Sequence, residues 1–314
     1  MLGFFLRRVL TAIPLLAVVS FLVFSLILLV PGDPAVSLAG QNPTPEQIAA
    51  MREQLGLNDP FLLRYGRWAL AAIQGDLGRS LFTSQTVWAD ITARMPTTLS
   101  LVALSMVIAL IIGVTVGAVA GLRPGTLIDR AATVAASVGV ALPYFWTGML
   151  LILLLAIKYP LLPSVGYTPL TEDPVEWLRH LTLPALALGL APAAIIARQT
   201  RAALSTVMGE DYVRTARAKG MSPLRIVGKH ALKNAAVPVV TVFGIEASRL
   251  IGGTVVIEQV FALPGIGQLA YQAVFSSDFP VVQGVVLVTA AMVIFINIVV
   301  DVSYGYFNPR IRQS

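Results

Sequence analysis

The charged and polar residues that could do chemistry are concentrated in residues 209–234, a basic segment between two apolar stretches. An acidic pair beginning at Glu210 opens a short helical pattern that ends at Lys219, and this order of charges suits a helix dipole. Gly220 follows where a left-handed residue commonly ends a helix, and Ser222 with the proline after it can cap another helix. The segment therefore predicts a helix, a glycine turn and a second helix.

The first of these two helices carries small side chains that would let another surface approach closely. Its apolar face is short and basic residues surround it, so it could act as a rigid knob in a groove on a partner protein. The alternative is a basic amphipathic helix that rests on anionic lipid. The residues expected to make the partner contact are Tyr212, Arg214, Thr215, Ala216, Ala218, Lys219, Gly220 and Ser222.

A second candidate site lies inside an apolar stretch. Glu246 and Arg249 are three residues apart, so they share one face of a helix. A lipid-facing charge costs about 2.5–3.5 kcal/mol, and we therefore expect the two to pair and to face the interior of a helix bundle. They could line a substrate path, or they could form a structural pair against a neighbouring subunit. Glu258 begins the loop that follows and would hold that loop against the spans.

Several kinds of chemistry lack the residues they need. The chain has no cysteine, and its two histidines, His180 and His230, are far apart, so the sequence offers no metal site. It has no G-x-x-x-x-G-K-[ST] loop, because its single Gly-Lys pair, Gly228 and Lys229, is followed by histidine. We expect no cofactor bound by the chain itself, and any ATP-driven work must come from other subunits.

Two rival classes of membrane protein differ in what they need at bilayer depth. An intramembrane protease needs a nucleophile with a base, or paired carboxylates, and the apolar stretches hold neither a histidine nor two carboxylates together. A proton-coupled secondary transporter needs a midplane ionisable group and usually an inverted repeat. Glu246 could be that group, but no repeat is visible in the sequence.

The elements that position these residues are apolar stretches long enough to cross a bilayer. The chain is 56% hydrophobic and 12% charged, whereas soluble domains are about a quarter charged. A span needs about 20 apolar residues. The predicted fold is an all-α membrane protein with six transmembrane helices, and the first is read as an anchor because it is too long for a signal peptide. The stretches are residues 9–30, 96–122, 131–157, 181–197, 235–257 and 279–300.

Lysine and arginine set the expected orientation. With the N-terminus inside and Asp301 counted as the end of the sixth span, the inside segments hold 14 basic and three acidic residues, whereas the outside segments hold seven basic and eleven acidic residues. This bias agrees with the positive-inside rule and puts both termini in the cytoplasm. The net charge of +6 is therefore a property of cytoplasmic loops, and we expect no nucleic-acid partner.

The chain divides into three expected regions. Residues 1–30 hold the N-terminal segment and the first span, and residues 31–95 form an extracytoplasmic loop domain. Residues 96–314 form the core, which includes a long cytoplasmic loop at about residues 206–234.

The loop domain carries its own helix signals. Thr44 can cap a helix that has Pro45 at its first position and Gln47 at its third, and Gly56 would end it. A second short helix is expected over residues 61–73.

The basic segment resembles the "EAA" loop of ABC importer permeases, whose pattern is E-A-A-x-x-x-G. Arg214, Thr215, Ala216 and Gly220 occupy the defined positions of that pattern, the first two with other residue types. The form Y-V-R-T-A-R-A-K-G and the later H-A-L-K-N-A-x-x-P, which begins at His230, are similar to the dipeptide/oligopeptide branch of the family.

Segments elsewhere in the chain resemble the same branch in their order and spacing. They are P-G-D-P at 31–34, G-D-L-G-R-S at 75–80, R-x-P-x-T-L at 94–99, E-Q-V-F-A-L-P-G-I-G at 258–267 and N-P-R-I-R at 308–312. The resemblance implies a type I ABC importer permease fold and a place in the bacterial inner membrane.

The resemblance also implies partners. The coupling helix would sit in a cleft of a separate ATPase, and two ATPase subunits or domains would bind ATP and Mg²⁺. A second permease, a distinct homologue, would complete the pore within the membrane lipid, and an extracytoplasmic binding protein would deliver the substrate. The chain itself would not be an enzyme. The implied substrates are dipeptides and oligopeptides, with nickel complexes, haem-like molecules or glutathione as alternatives.

Overall fold

The computed structural model describes residues 2–25, 35–36, 43–54, 56–83 and 85–307. Within these ranges the regular structure is helical, apart from one isolated bridge between Arg79 and Thr86. The helices are α1 (Leu2–Ser25), α2 (Pro45–Gln54), α3 (Phe61–Ile73), α4 (Val87–Gly121), α5 (Leu127–Ala141), α6 (Tyr144–Ile152), α7 (Pro174–Gly209), α8 (Asp211–Ala218), α9 (Pro223–Ile226), α10 (Leu232–Val260), α11 (Ile266–Phe275) and α12 (Phe279–Phe307). Wider π-helical turns cover Leu153–Lys158 and Val227–Ala231.

Four of the described helices are long and apolar enough to cross a membrane: α4, α7, Ala235–Val260 within α10 and Phe279–Val300 within α12. A fifth crossing is possible if α5 and α6 together count as one bent span. The first predicted stretch, residues 9–30, lies partly outside the described residues, and its described apolar part is Leu10–Ser25 of α1. The all-α prediction is confirmed for the described residues.

The third predicted stretch, residues 131–157, is not one straight helix, although the helices that cover it can together count as one bent span. The chain breaks between α5 and α6, and the two axes differ by 102°. Leu142 is extended, with ψ 125°, because a proline ring crowds the residue before it. Pro143 lacks an N–H group and adopts φ −64° at the start of α6.

Helix α7 is the longest in the bundle and continues well past the predicted apolar stretch at both ends. Asp173 caps it, because its carboxylate accepts hydrogen bonds from the backbone N–H groups of Val175 and Glu176 at 2.8 and 3.1 Å. The helix is continuous, although it contains two internal prolines, Pro184 and Pro192. It therefore runs from one surface of the bundle to the opposite surface, where the basic segment begins.

Glycine residues let the backbones of α4 and α7 come into direct contact. A Cβ atom built on Gly117 would lie 2.5 Å from the carbonyl oxygen of Ala197, and one on Gly113 would lie 2.8 Å from that of Ala193. From the other side, a Cβ on Gly189 would meet the carbonyl of Ser105 at 2.7 Å. Small residues permit this approach, which lets van der Waals contact hold helices together in lipid.

Between α1 and α4, the local structure of the described residues agrees with the helix caps and ends that the sequence predicts. The backbone N–H of Gln47 donates to Thr44 Oγ1 at 3.3 Å, and the side-chain carbonyl of Gln47 accepts from the N–H of Thr44 at 2.9 Å. This reciprocal pair is the predicted capping box. Gly56 has φ +63°, and α3 covers the predicted residues 61–73. Helix α4 begins at Val87, so the expected boundary at residue 95 falls inside a helix.

We predict that Gly117→Ala lowers the stability of the bundle by about 1–3 kcal/mol, because the new methyl group must push the backbones of α4 and α7 apart. Thermal unfolding of the purified protein in detergent measures the change. Gly66→Ala is the matched control, since no atom lies within 4 Å of the added Cβ and α3 has ordinary helical backbone there. An unchanged melting temperature for Gly117→Ala would contradict the close packing.

Candidate functional site

The basic segment folds as an elbow, here defined as residues 210–231, between α7 and α10. Its turn is a Schellman motif: the N–H of Met221 donates to the carbonyl of Ala216 at 3.2 Å, and the N–H of Gly220 donates to that of Arg217 at 2.9 Å. Gly220 has φ +76°, the left-handed region that glycine adopts at little cost. The predicted helix, glycine turn and second helix are all present, although α9 is short and passes into π-helical turns.

The elbow has its own small apolar core. Val213 and Ala216 of α8 are buried together with Ile226 of α9. Val207 and Met208, at the end of α7, pack against them. The elbow is therefore fixed to the end of α7 by side-chain packing as well as by the chain.

The outward side of the elbow carries most of the residues expected to contact a partner. Ala216 differs from the other seven, because it faces the inner core and is only 7% exposed. Arg214 contacts Asp211 of its own helix at 3.4 Å, a distance at which two exposed side chains gain little. The exposed members of the set are Tyr212, Arg214, Thr215, Ala218, Lys219, Gly220 and Ser222.

An ion pair that the sequence did not reveal locks the turn between α4 and α5 onto α7. Arg201 donates through two nitrogens to the carboxylate of Asp129, with Nη2 to Oδ2 at 2.8 Å. The N–H of Gly125 donates to the same carboxylate at 2.9 Å. Bidentate pairs of this kind fix geometry strongly. The only sequence signal was Asp129 itself, an acid in a basic loop.

The charge pair expected in the fifth apolar stretch is formed. Arg249 Nη1 donates to Glu246 Oε1 at 2.9 Å. The Glu246 side chain is 4% exposed and so lies in the interior as expected, whereas the Arg249 side chain is 66% exposed and its guanidinium reaches the surface of the chain, contrary to the expectation that both face the interior. Next to it, Ser248 Oγ donates to Asn297 Oδ1 at 2.7 Å and joins α10 to α12.

Glu258 holds the loop after α10, as its position suggested. Its fully buried carboxylate accepts from Thr98 Oγ1 at 2.7 Å and from the N–H of Gln268 at 2.9 Å. Thr98 Oγ1 in turn accepts from the N–H of Ile266 at 2.8 Å. These bonds attach the first turn of α11 to α4 and α10, and they occupy the Glu258 carboxylate.

Metal chemistry finds no support in the part of the chain that the structure describes. No group of three or more His, Asp or Glu side chains there converges as metal ligands. The exposed side of the elbow carries a mixture of small, aromatic and basic side chains.

Two family models match the sequence. "Binding-protein-dependent transport system inner membrane component" matches residues 113–313, and the N-terminal model of the same transport systems matches residues 1–102. Together they cover nearly the whole chain.

Full-length relatives and solved structures agree with this match. A Brucella abortus protein provisionally named a peptide transport system permease is 42% identical, the di/tripeptide transport system permease protein DppB of Pseudomonas aeruginosa is 40% identical, and the dipeptide transport system permease protein DppB of Escherichia coli is 38% identical, each over 100% of both chains. The inward-facing methionine ABC transporter MetNI has a chain with TM-score 0.55 and 22% identity, and the match covers 68% of this chain and 93% of that one. This likeness concerns the fold.

We predict that Thr98→Val weakens the attachment of α11 by about 1–3 kcal/mol, because the Ile266 N–H and the Glu258 carboxylate each lose a buried partner. Hydrogen exchange at the amides of residues 266–269 should become faster. Thr182→Val is the matched control, since its hydroxyl bonds only to Leu178 within α7. Equal exchange in the two variants would show that Thr98 does not hold this loop.

Proposed function

We propose a mechanism from one premise: the chain belongs to the family of binding-protein-dependent transport system inner membrane components. It is a multi-pass permease subunit of an ABC importer in the bacterial inner membrane. Our proposal concerns its topology, the way it couples to ATP hydrolysis, and its substrate.

The proposed topology has six spans with both termini in the cytoplasm. α1, α4, the bent pair α5–α6, α7, α10 and α12 supply the crossings, and the bent pair counts as one. The charge bias supports this orientation, since 14 of the 22 lysines and arginines then lie inside. Residues 31–95 then form the extracytoplasmic loop domain, residues 96–314 the core, and the elbow projects into the cytoplasm.

The elbow is the proposed coupling helix, which docks in a cleft of a separate ATPase. The observation that carries this proposal is the packing of Val213 and Ala216 against Val207 and Met208, because it makes the elbow move with α7. A docking surface must be stiff if it is to transmit a displacement, and small exposed residues such as Ala218 let a partner approach closely.

Partner subunits would supply what this chain lacks. Two ATPase subunits or domains would bind ATP and Mg²⁺, a second and distinct permease would complete the pore, and an extracytoplasmic binding protein would deliver the substrate. Arg249 would then meet the second permease, where its exposed guanidinium and its bond to Glu246 stabilise the interface. A role for this pair in the substrate path is the alternative.

The proposed substrates are dipeptides and short oligopeptides. The names of the full-length relatives, which cover the chain end to end, support this choice over nickel complexes, haem-like molecules or glutathione.

We predict that Ala218→Arg reduces ATP-driven transport at least about tenfold, because a long charged side chain blocks the docking face where binding energy is concentrated. The measurement is transport by the assembled complex in proteoliposomes, together with the melting temperature. Ala202→Arg is the matched control, an exposed alanine on α7 outside the elbow.

A substitution at the buried Ala216 distinguishes a loss of folding from a loss of docking. Ala216→Arg would place an arginine in the core of the elbow, so both the melting temperature and transport should fall. Ala218→Arg should lower transport alone. Transport at the parent rate in Ala218→Arg would refute the docking face.

We predict that deletion of the gene abolishes uptake of labelled dipeptides and that the gene on a plasmid restores it. Uptake assays in whole cells, with nickel, haem and glutathione as parallel substrates, make the comparison. Retained peptide uptake with loss of one of the other substrates would reassign the importer while leaving the coupling mechanism in place.

A further inference from the structure

A cavity of about 280 Å³ lies where α1 ends, α3 passes and α12 begins. Its position is fixed by an aromatic cluster that joins α3 to α1: Phe24 packs on Trp68 at 5.5 Å and on Phe61 at 5.5 Å between ring centroids. Tyr65 Oη and Ser20 Oγ are hydrogen-bonded at 2.9 Å. The cavity therefore has walls held by packing between two helices.

Most of the side chains that line the cavity are apolar. The polar ones are two arginines, a tryptophan and a glutamine. The apolar side chains are those of Phe24, Leu57, Leu81, Phe279 and Pro280, and the polar ones are those of Arg64, Arg67, Trp68 and Gln283.

Two of these polar groups, the Trp68 indole and the Arg64 guanidinium, have no hydrogen-bonding partner among the described residues. The indole N–H of Trp68 is buried and unpaired. The Arg64 guanidinium lies over the Phe24 ring at 5.9 Å and forms no salt bridge. A buried donor without an acceptor is uncommon, so the Trp68 N–H, with the partly buried Arg64 guanidinium beside it, provides donors for an anionic group.

The charge balance of the cavity favours an anion. Arg67 is already paired with Asp59 at 2.6 Å, so Arg64 contributes the uncompensated positive charge. Burial lowers the pKa of the Arg64 guanidinium, and the nearby Asp59 carboxylate opposes that shift only in part. An anion hydrogen-bonded to Arg64 would relieve this desolvation.

The place of the cavity identifies the source of the anion. Phe24 is near the last residue of α1, and Phe279 and Pro280 are the first residues of α12, so the cavity lies where two apolar helices reach the membrane surface. The opposite face of α3 exposes Leu62, Leu70 and Ile73 by 71, 63 and 83%. A helix with such a face lies in the headgroup region with its apolar side toward acyl chains.

We infer that this cavity binds the phosphate of an anionic phospholipid, with the Arg64 guanidinium and the Trp68 N–H as donors. The bound lipid would fix the extracytoplasmic helix to the first span. The inference does not depend on the transported substrate or on the coupling mechanism, because lipid binding is measured without transport.

The test is native mass spectrometry of the delipidated, assembled complex during titration with phosphatidylglycerol. Arg64→Gln should weaken the specific binding step about tenfold or more, as expected when a charge-assisted bond is lost. Trp68→Phe keeps the aromatic packing and removes one donor, so it should weaken the same step by a smaller factor. Arg179→Gln is the control, because Arg179 is exposed and pairs with Glu176 on α7.

The outcomes separate the sources of the phosphate. Weaker phosphatidylglycerol binding in both cavity variants, with the control unchanged, supports the lipid site. Binding at the parent affinity in Arg64→Gln and Trp68→Phe would overturn it. Displacement of the lipid by millimolar inorganic phosphate would also overturn it, since the site would then take the free ion. Transport by the same variants tests the proposed coupling mechanism and does not bear on lipid binding.

Discussion

Close backbone contact between α4 and α7 is the constraint on which the other elements depend. Lipid tails are as apolar as leucine, so helices in a bilayer gain little from hydrophobic burial against each other and rely on packing. Gly113 and Gly117 bring the two backbones together where any side chain would collide. This contact holds α7 in place, and the bent pair, α10 and the elbow all pack against α7 or continue from it.

Helix α7 can therefore carry a displacement from one surface to the other. At one end its last turn packs into the core of the elbow through Val207 and Met208. Further along, Arg201 binds Asp129 and draws the turn before α5 into the same unit. Packed units of this kind shift as whole bodies between discrete arrangements, which is how a small movement at one site becomes a larger one elsewhere. The fold thus gives the proposed coupling a physical route.

The sequence predicted local structure well and long-range pairing poorly. Thr44, Gln47 and Gly220 specify a cap and a turn through their own backbones, so their local signals were sufficient. The break at Pro143 was missed because proline alone does not decide it: Pro184 and Pro192 lie inside α7 without breaking it. The pairing of Asp129 with Arg201 depends on elements that meet only in the folded chain, and no local pattern encodes it.

Site-specific cross-linking is the most direct test of the central claim that the elbow contacts the ATPase. Because the chain has no cysteine, an introduced thiol is the only one on it that can react. Ala218→Cys provides a single thiol on the exposed side of α8, and Leu127→Cys provides one at a position 81% exposed on α5. A maleimide that carries a benzophenone should form a thioether with Ala218→Cys and, on illumination, insert into a C–H bond of the ATPase subunit in the intact complex, with a yield that changes when ATP is bound; the same reagent on Leu127→Cys should leave the ATPase unlinked. An assembled, ATP-hydrolysing complex in which Ala218→Cys never links to the ATPase would contradict the account.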